Sequence, residues 1–345
     1  MPPQPLPRED LDHILQHTQP LWPSLKGQRL FLTGGTGFFG HWLLESFLHA
    51  NRALGLNAQA TVLTRNAMAF RAKAPHIALD PAVTLLQGDV KNFSYPAEHH
   101  KYVIHAATDS GGQQTQRPAY ELAESILEGT RHTLRFARST GARRLLFTST
   151  GAVYGRNITG LTHIPEDYPG APDPLALASS YDEAKRMSEH LCVAYSEGTQ
   201  LQTTIARCFA FVGPHLPLDA HFAIGNFIRD ALAGTPIHIK GDGTPLRSYL
   251  YAADLAIWLW TMLFTAPANR AYNVGSEEQH SIGSLAHLTA QTLRPGLRVQ
   301  IDGTPNPSVP VPTYVPSTQR ARQELALTQH ISLEEALRRT AAWHR

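Results

Sequence analysis

From Gln28 onward, short runs of consecutive apolar residues alternate with stretches whose apolar positions recur every three to four residues. Runs of the first kind suit strands buried on both faces, and the second kind suits helices laid over them. The pattern predicts strands at Arg29 to Thr33, Ala60 to Thr64, Val83 to Leu86, Tyr102 to His105, Arg144 to Thr148 and Thr203 to Phe209. It predicts helices at Phe39 to Leu54, Ala119 to Ser139 and Ser180 to Tyr195, the second turning Leu122, Ile126, Leu134 and Phe136 inward. Strand–helix alternation of this kind gives an α/β fold built on a doubly wound parallel sheet. After Gly213-Pro214 the rhythm loosens. Helices are expected at 220–233, 252–264, 282–293 and 333–343, short strands at 237–239 and 272–274, and an irregular proline-rich stretch at 302–317. Residues 1–27 read as a proline-rich arm with one helical segment, Arg8 to Gln16, whose Leu11, Ile14 and Leu15 share a face for packing. The organisation expected is an arm (1–27), a dinucleotide-binding unit (28–213, borrowing about 247–262) and a smaller C-terminal substrate-binding lobe (214–345).

The first predicted strand runs into Thr33-Gly34-Gly35-Thr36-Gly37-Phe38-Phe39-Gly40, which opens the first long helix. A strand, a tight glycine turn and a helix N-terminus make a cradle for pyrophosphate. The chain must reverse sharply, let phosphate approach the backbone, and bring the helix close to the strand. Each need excludes a Cβ, which accounts for Gly34, Gly37 and Gly40. Free N–H groups and the positive end of the helix dipole then face the phosphates. The spacing is G-x-x-G-x-x-G, and the arrangement is that of a Rossmann-type unit.

Composition removes competitors. A net charge of +2 spread along 345 residues gives no basic patch for nucleic acid and no reason to expect an anionic membrane partner. No apolar run nears the roughly 20 residues of a membrane span. The start, Met1-Pro2-Pro3-Gln4-Pro5, lacks the order of a secretory signal, so a soluble cytoplasmic protein is expected. Cys192 and Cys208 lie inside apolar patterns and read as buried free thiols. The 18 histidines are scattered, and no Cys/His cluster has metal-ligand spacing along the chain.

Chemistry enters with Tyr181-Asp182-Glu183-Ala184-Lys185. Residues four apart on a helix share a face, so the Tyr181 hydroxyl and Lys185 ammonium can meet one ribose. A free tyrosine, with a pKa near 10, is a poor base at neutral pH. A nearby cation favours its phenolate and makes proton exchange with a substrate hydroxyl feasible. The fifth strand, carrying Ser149-Thr150, ends shortly before this helix and can add a hydroxyl, giving a Thr150–Tyr181–Lys185 group beside a nicotinamide.

These residues resemble the extended short-chain dehydrogenase/reductases of the NAD-dependent epimerase/dehydratase type. The resemblance runs from about Gly27 to the closing Leu333-Glu334-Glu335-Ala336-Leu337. It takes in Thr33 to Gly40, Gly88-Asp89-Val90, His105-Ala106-Ala107, Gly129-Thr130, Ser149 to Gly155, Tyr181 with Lys185, Arg207-Cys208-Phe209, Gly213-Pro214, Gly241-Asp242-Gly243 with Arg247, Tyr251 with Asp254, and Tyr272 to Gly275. It implies NAD or NADP as cofactor and a nucleotide-activated sugar as substrate, oxidised or reduced often at C4. It assigns Tyr181 to the hydroxyl proton, Thr150 to the same oxygen, and Lys185 to the ribose. Gly34, Thr36, Gly37, Phe38, Phe39, Gly40, Arg65, Asp89, Val90, Ala106 and Ala107 would line the cofactor, with Asp89 at the adenine. Thr150, Gly151, Ala152, Asn226 and Arg247 would face the substrate, the last two at its diphosphate, where a guanidinium donates paired hydrogen bonds. Relatives dimerise through the helices flanking the fifth strand, so a homodimer is expected.

Several positions depart from the family pattern. In its 4,6-dehydratases the active Thr precedes an Asp-Glu pair that carries out acid–base elimination, and here Gly151-Ala152 takes that place. The usual Arg-x-x-Asn reads Arg207-Cys208-Phe209-Ala210, and the Asn often found before Gly129-Thr130 is absent. Substrate placement is therefore expected to differ from that of the 4-epimerases. After the second strand stands Thr64-Arg65-Asn66, without a carboxylate to bind the ribose 2′-hydroxyl. Arg65 can pair with a 2′-phosphate, which favours NADP slightly over NAD. The expectation is 4-keto reduction or 4-epimerisation. The alternatives are dehydration or uronic acid decarboxylation, and a non-catalytic dinucleotide sensor, which would have lost Tyr181 or Lys185.

Overall fold

The computed structural model describes residues 4–108, 118–156, 158–220 and 222–345; the reading of Met1-Pro2-Pro3 lies outside them. The chain starts with α1 (Arg8–Thr18) and a 3₁₀ segment over Gln19–Leu25. It then runs β1 (Arg29–Thr33), α2 (Phe38–Ala53), β2 (Gln59–Thr64), α3 (Ala67–Lys73), α4 (Pro75–Ala78), β3 (Val83–Gln87), β4 (Tyr102–His105), α5 (Ala119–Ser139), β5 (Arg144–Thr150), α6 (Ser180–Ser196) and β6 (Gln202–Cys208). The remainder is β7 (Phe211–Val212), α7 (Ala223–Ala233), β8 (Ile237–Ile239), β9 (Leu246–Arg247), β10 (Leu250–Tyr251), α8 (Ala252–Thr265), β11 (Arg270–Val274), β12 (His280–Ser281), α9 (Ile282–Leu293), β13 (Val299–Ile301), β14 (Thr313–Tyr314), α10 (Gln319–Leu325) and α11 (Leu333–Trp343).

Seven strands pair in parallel in the order β11-β6-β5-β4-β1-β2-β3. Crossovers leave β1 in opposite directions along the sheet, so the switch point lies where β1 meets β4, with Leu30 opposite Tyr102 and Thr33 opposite His105. In doubly wound sheets ligands bind at the carboxyl ends of strands at this point. One face is covered largely by α8, whose sequence Ala252-Ala253-Asp254-Leu255-Ala256-Ile257-Trp258-Leu259-Trp260 is apolar around nearly its whole circumference. That composition suits its position, because α8 packs against β5 and β6 on one side and α1 and α2 on the other. Trp22, Trp42, Trp258 and Trp260 are all buried there, and each such ring contributes about 2–3 kcal/mol by leaving water. Phe31, Phe93, Phe136 and Phe147 fill the opposite face beneath α5 and α6.

The long elements fall where the pattern puts them. The arm is longer and more ordered than predicted, because α1 reaches Thr18 and the chain continues in a 3₁₀ turn. It packs on its own chain: Ile14 is fully buried, and buried Asp10 accepts the Tyr251 hydroxyl at 2.7 Å and Arg339 Nη1 at 2.6 Å. The short helices α3 and α4 are not in the pattern; α3 starts on an Asn66 cap that accepts the Ala69 N–H at 2.9 Å. The stretch 302–317 is not wholly irregular, because Thr313 and Tyr314 pair with Leu246 and Arg247. The boundary near 213 is also crossed twice, as α8 and β11 return from the second half to the central sheet.

Candidate active site

At the switch point the turn after β1 presses against the end of β4. Gly34 has φ +75°, and a Cβ on it would lie 2.4 Å from the Ala106 carbonyl oxygen. Gly40 closes the helix onto the turn, where a Cβ would meet the Gly35 backbone at 2.3 Å. At Gly37 the space expected for close phosphate approach is open: among the described residues a Cβ there would meet just the Gly34 carbonyl, at 3.5 Å. Its side is open, so it marks the space left for a ligand. Gly35 has the packing role instead, because a Cβ there would lie 2.5 Å from Val62 Cγ1.

Gly37 caps α2 in an extended conformation without any side-chain acceptor. The first N–H groups of the helix, on Phe38, Phe39 and Gly40, therefore face outward with no capping side chain. Uncapped donors beside an open glycine suit a pyrophosphate, so the residues present fit a dinucleotide. Below the turn, Thr33 Oγ1 accepts the Ala107 N–H at 3.1 Å and lies 2.8 Å from His105 Nδ1. His105 Nε2 lies 3.1 Å from Thr130 Oγ1, and the ring is stacked on Phe147. Burial, with the Lys185 charge second, lowers His105 to about 3, so it is a neutral strut that fixes Ala106 and Ala107. Val90 is held by Gly129, where a Cβ would come within 2.8 Å of Val90 Cγ1. Asp89 Oδ1 accepts the Lys91 N–H at 2.9 Å, and Arg65 follows the last residue of β2 on the surface.

Thr150 is the last residue of β5, and Tyr181 and Lys185 occupy the first turns of α6. Lys185 is fully buried; its Nζ donates to the Thr148 carbonyl at 2.9 Å and sits 5.9 Å from the Tyr181 ring centre. Burial lowers Lys185 to about 8. Tyr181 departs from the expected phenolate: burial pushes its hydroxyl well above the ordinary tyrosine value, and the neighbouring Tyr314 adds to the rise. The desolvation of the phenolate outweighs the cation, because Lys185 points at Thr148 and not at the phenol oxygen. The Tyr181 hydroxyl is neutral in this state.

Tyr314 is the site residue that sequence reading missed. Its hydroxyl lies 3.5 Å from Thr150 Oγ1, and burial raises it to about 12. Arg247, opposite it in register, places its guanidinium carbon 5.6 Å above the Tyr314 ring. The one available signal was an aromatic residue inside a proline-rich run, which is a weak one. Gly151 and Ala152 form a 3₁₀ turn in which Thr150 Oγ1 accepts the Ala152 N–H at 3.2 Å, and Gly151 lies under the Phe209 ring. Asn226 sits in the first turn of α7, where its Oδ1 accepts Arg229 Nη1 at 3.2 Å, with no contact drawing it to Arg247 among the described residues. Arg207 is locked to Glu189 by a 2.7 Å contact, and Glu189 also accepts the Ser149 hydroxyl at 2.5 Å. That guanidinium braces β5, β6 and α6.

A dinucleotide turn at the switch point, followed by a Thr–Tyr–Lys group on the next strand and helix, defines a dinucleotide-dependent α/β enzyme class. The chain belongs to the NAD dependent epimerase/dehydratase family, which it matches over residues 30–275. Among curated proteins it is 27% identical over 321 residues to UDP-glucuronic acid decarboxylase 1 of Arabidopsis thaliana, covering 93% of this chain and 70% of that one. Among solved structures it resembles a dTDP-glucose 4,6-dehydratase, DesIV of Streptomyces venezuelae, with NAD and TYD bound. The TM-score is 0.77 at 23% identity, over 92% of this chain and 97% of that one. A UDP-glucuronic acid 4-epimerase from Bacillus cereus, in complex with UDP-glucuronic acid and NAD, gives 0.75 at 21% identity over 92% and 98%.

Proposed function

We propose that this protein oxidises or reduces C4 of a nucleotide-activated sugar with a bound nicotinamide dinucleotide, as a 4-keto reductase or 4-epimerase. One observation supports this reading: buried Lys185, 5.9 Å from the Tyr181 ring, donates to the Thr148 carbonyl two residues before Thr150 at the end of β5, while positions 151 and 152 offer no acid. In this reading the glycine turn and the α2 N-terminus hold the pyrophosphate, with Gly34, Thr36, Gly37, Phe38, Phe39 and Gly40 around it. Asp89 and Val90 border the adenine, Ala106 and Ala107 border the nicotinamide half, and Lys185 holds its ribose. Arg65 at the ribose of the adenosine favours a 2′-phosphate by charge, so NADP is preferred slightly over NAD. The bound nicotinamide supplies or accepts a hydride.

Tyr181 then gives its proton to the C4 oxygen when a ketone is reduced and takes it back when an alcohol is oxidised. Thr150 donates to the same oxygen and fixes its direction. Lys185 keeps β5 and α6 in register through Thr148 and makes the phenolate less costly when it forms. Arg247 and Tyr314 close the substrate side, with Asn226 further out at the diphosphate. A homodimer through α5 and α6 belongs to the same reading, which sedimentation velocity checks.

A second reading is favoured by the curated relatives, which are named as UDP-glucuronic acid decarboxylases. Oxidation at C4 of a uronic acid sugar makes the C6 carboxylate β to a ketone. Such a carboxylate leaves as carbon dioxide without an added acid, so Gly151-Ala152 is compatible with it. Elimination of water across C5 and C6 does need an acid and a base, and that chemistry is disfavoured here.

The test is a panel of nucleotide sugars, with and without NADPH or NADH, read by product mass and NMR. A reductase consumes reduced cofactor and adds two hydrogens to the product. An epimerase leaves mass unchanged, a decarboxylase loses carbon dioxide, and a dehydratase loses water. Full turnover by Tyr181→Phe contradicts the proposal.

A further inference from the structure

A second cluster of chemically competent side chains lies on the far side of α2 from the catalytic group. His41 and Glu45, four residues apart on α2, face His215 from the turn after β7 and His76 from α4. Glu45 Oε1 is the centre: it lies 3.7 Å from His41 Nδ1, 3.5 Å from His215 Nε2 and 3.2 Å from His76 Nε2. None of these contacts is a hydrogen bond. Glu45 Oε1, both ring nitrogens of His41, His76 Nε2 and His215 Nε2 are all buried without a partner. Five unpartnered polar atoms in one cluster are costly, since each has lost water without gaining a partner. The other carboxylate oxygen is accounted for, accepting the Leu6 N–H at 2.7 Å.

The spacings match those of metal ligands. With zinc bonds of about 2.0–2.1 Å, neighbouring donor atoms in a tetrahedron stand about 3.3–3.4 Å apart. His41, Glu45 and His215 offer donor atoms all within 4.8 Å of one another. Two imidazoles and one carboxylate form a borderline nitrogen/oxygen set suited to zinc or a neighbouring divalent ion, and His76 touches that set through Glu45 alone. The His41 and His215 rings are stacked, 4.0 Å apart and 19° from parallel, so ligation turns each about its Cβ–Cγ bond toward the other.

We propose that His41, Glu45 and His215 form a zinc-class metal site, with His76 supporting it through Glu45. His76, 26% exposed, is the side from which the ion enters. The site ties together the arm at Leu6, the helix that follows the dinucleotide turn, α4 and the turn that leads into the second half of the chain. A bound ion there acts on stability, and the catalytic group is built from other residues.

The test uses full-length, tag-free protein stripped with a chelator, then given zinc chloride or cobalt chloride and desalted. One zinc per chain retained by elemental analysis, a higher melting temperature, and the visible absorption of four-coordinate cobalt are expected. His76→Ala, at the exposed edge, and His215→Ala are each expected to weaken zinc binding at least tenfold, by about the factor that loss of a metal's supporting group brings. If stripped wild-type protein retains no zinc and its melting is unmoved, the proposal is overturned. Equal retention by wild type and both variants overturns it too, because zinc then binds elsewhere. The cobalt spectrum of the wild type decides the matter even if His215→Ala does not fold.

Discussion

Lys185 has almost none of its side chain in contact with water, and burial brings its titration down to about 8. It is charged below that pH and neutral above it. If the charge supports ribose binding and the Tyr181 phenolate, kcat/KM is level through neutral pH and falls above about pH 8. A pH–rate profile checks this, and in Lys185→Met that limb should disappear along with most of the activity. Gly34 makes a second prediction at the same scale. Alanine there meets both a left-handed φ and the Ala106 carbonyl. Gly34→Ala should cost about 1–3 kcal/mol and abolish dinucleotide binding, measured by urea unfolding and calorimetry. Gly37→Ala, with open space around its Cβ, should fold with near-normal stability and fail only in binding. The residue scale was legible where motifs are local. Gly34, Gly40, Tyr181 and Lys185 could be assigned because turn and helix geometry fix their spacing. The charge state of Tyr181 could not, since it depends on how much protein surrounds the ring.

Elements show the same division. The helices α2, α5, α6 and α8 were readable because each carries a long apolar face or an apolar circumference. The short pieces α3, α4 and β14 were not, since two to seven residues carry no period. Tyr314 was missed for that reason: its importance comes from pairing with Arg247, which is distant in sequence. The arm is another element whose role is tertiary. Asp10 joins α1 to Tyr251 and to Arg339 on α11, tying the first and last helices to one another. Asp10→Ala leaves the buried Tyr251 hydroxyl without its acceptor and removes one of the carboxylates around Arg339, with Glu335 and Glu9 remaining, and should destabilise the fold by about 1–3 kcal/mol in urea unfolding. Activity at low temperature should survive, because Asp10 touches none of the catalytic group.

Across the whole molecule, the sheet order does most to make a site. The chain adds β2 and β3 on one side of β1 and then crosses back to β4 on the other, which opens the switch point at the glycine turn, and β5 and α6 carry Thr150, Tyr181 and Lys185 on the β4 side. The second half of the chain returns α8 and β11 to the sheet and sends β9 and β14 over the mouth. This arrangement separates what is common to the family from what distinguishes this chain. Thr150, Tyr181 and Lys185 are all present, while Gly151-Ala152 follows Thr150 and Arg207 is held in an ion pair with Glu189. The histidine cluster around Glu45 was invisible along the chain, because residues 41, 76 and 215 meet only after folding.

The central claim is redox chemistry at C4 with proton exchange by Tyr181. The most direct measurement follows a C4-deuterated nucleotide sugar, UDP-glucose or UDP-glucuronic acid, through turnover. Reduced-nicotinamide fluorescence and the position of deuterium in the product are read for wild type and Tyr181→Phe. A deuterium isotope effect is predicted for the wild type, with the label returned to C4 through transient reduced nicotinamide by an epimerase, or passed to released reduced nicotinamide by a reductase run in the oxidative direction, and with turnover at least about 100-fold lower in the variant. Label carried to C6, or equal turnover by the two proteins, would contradict it.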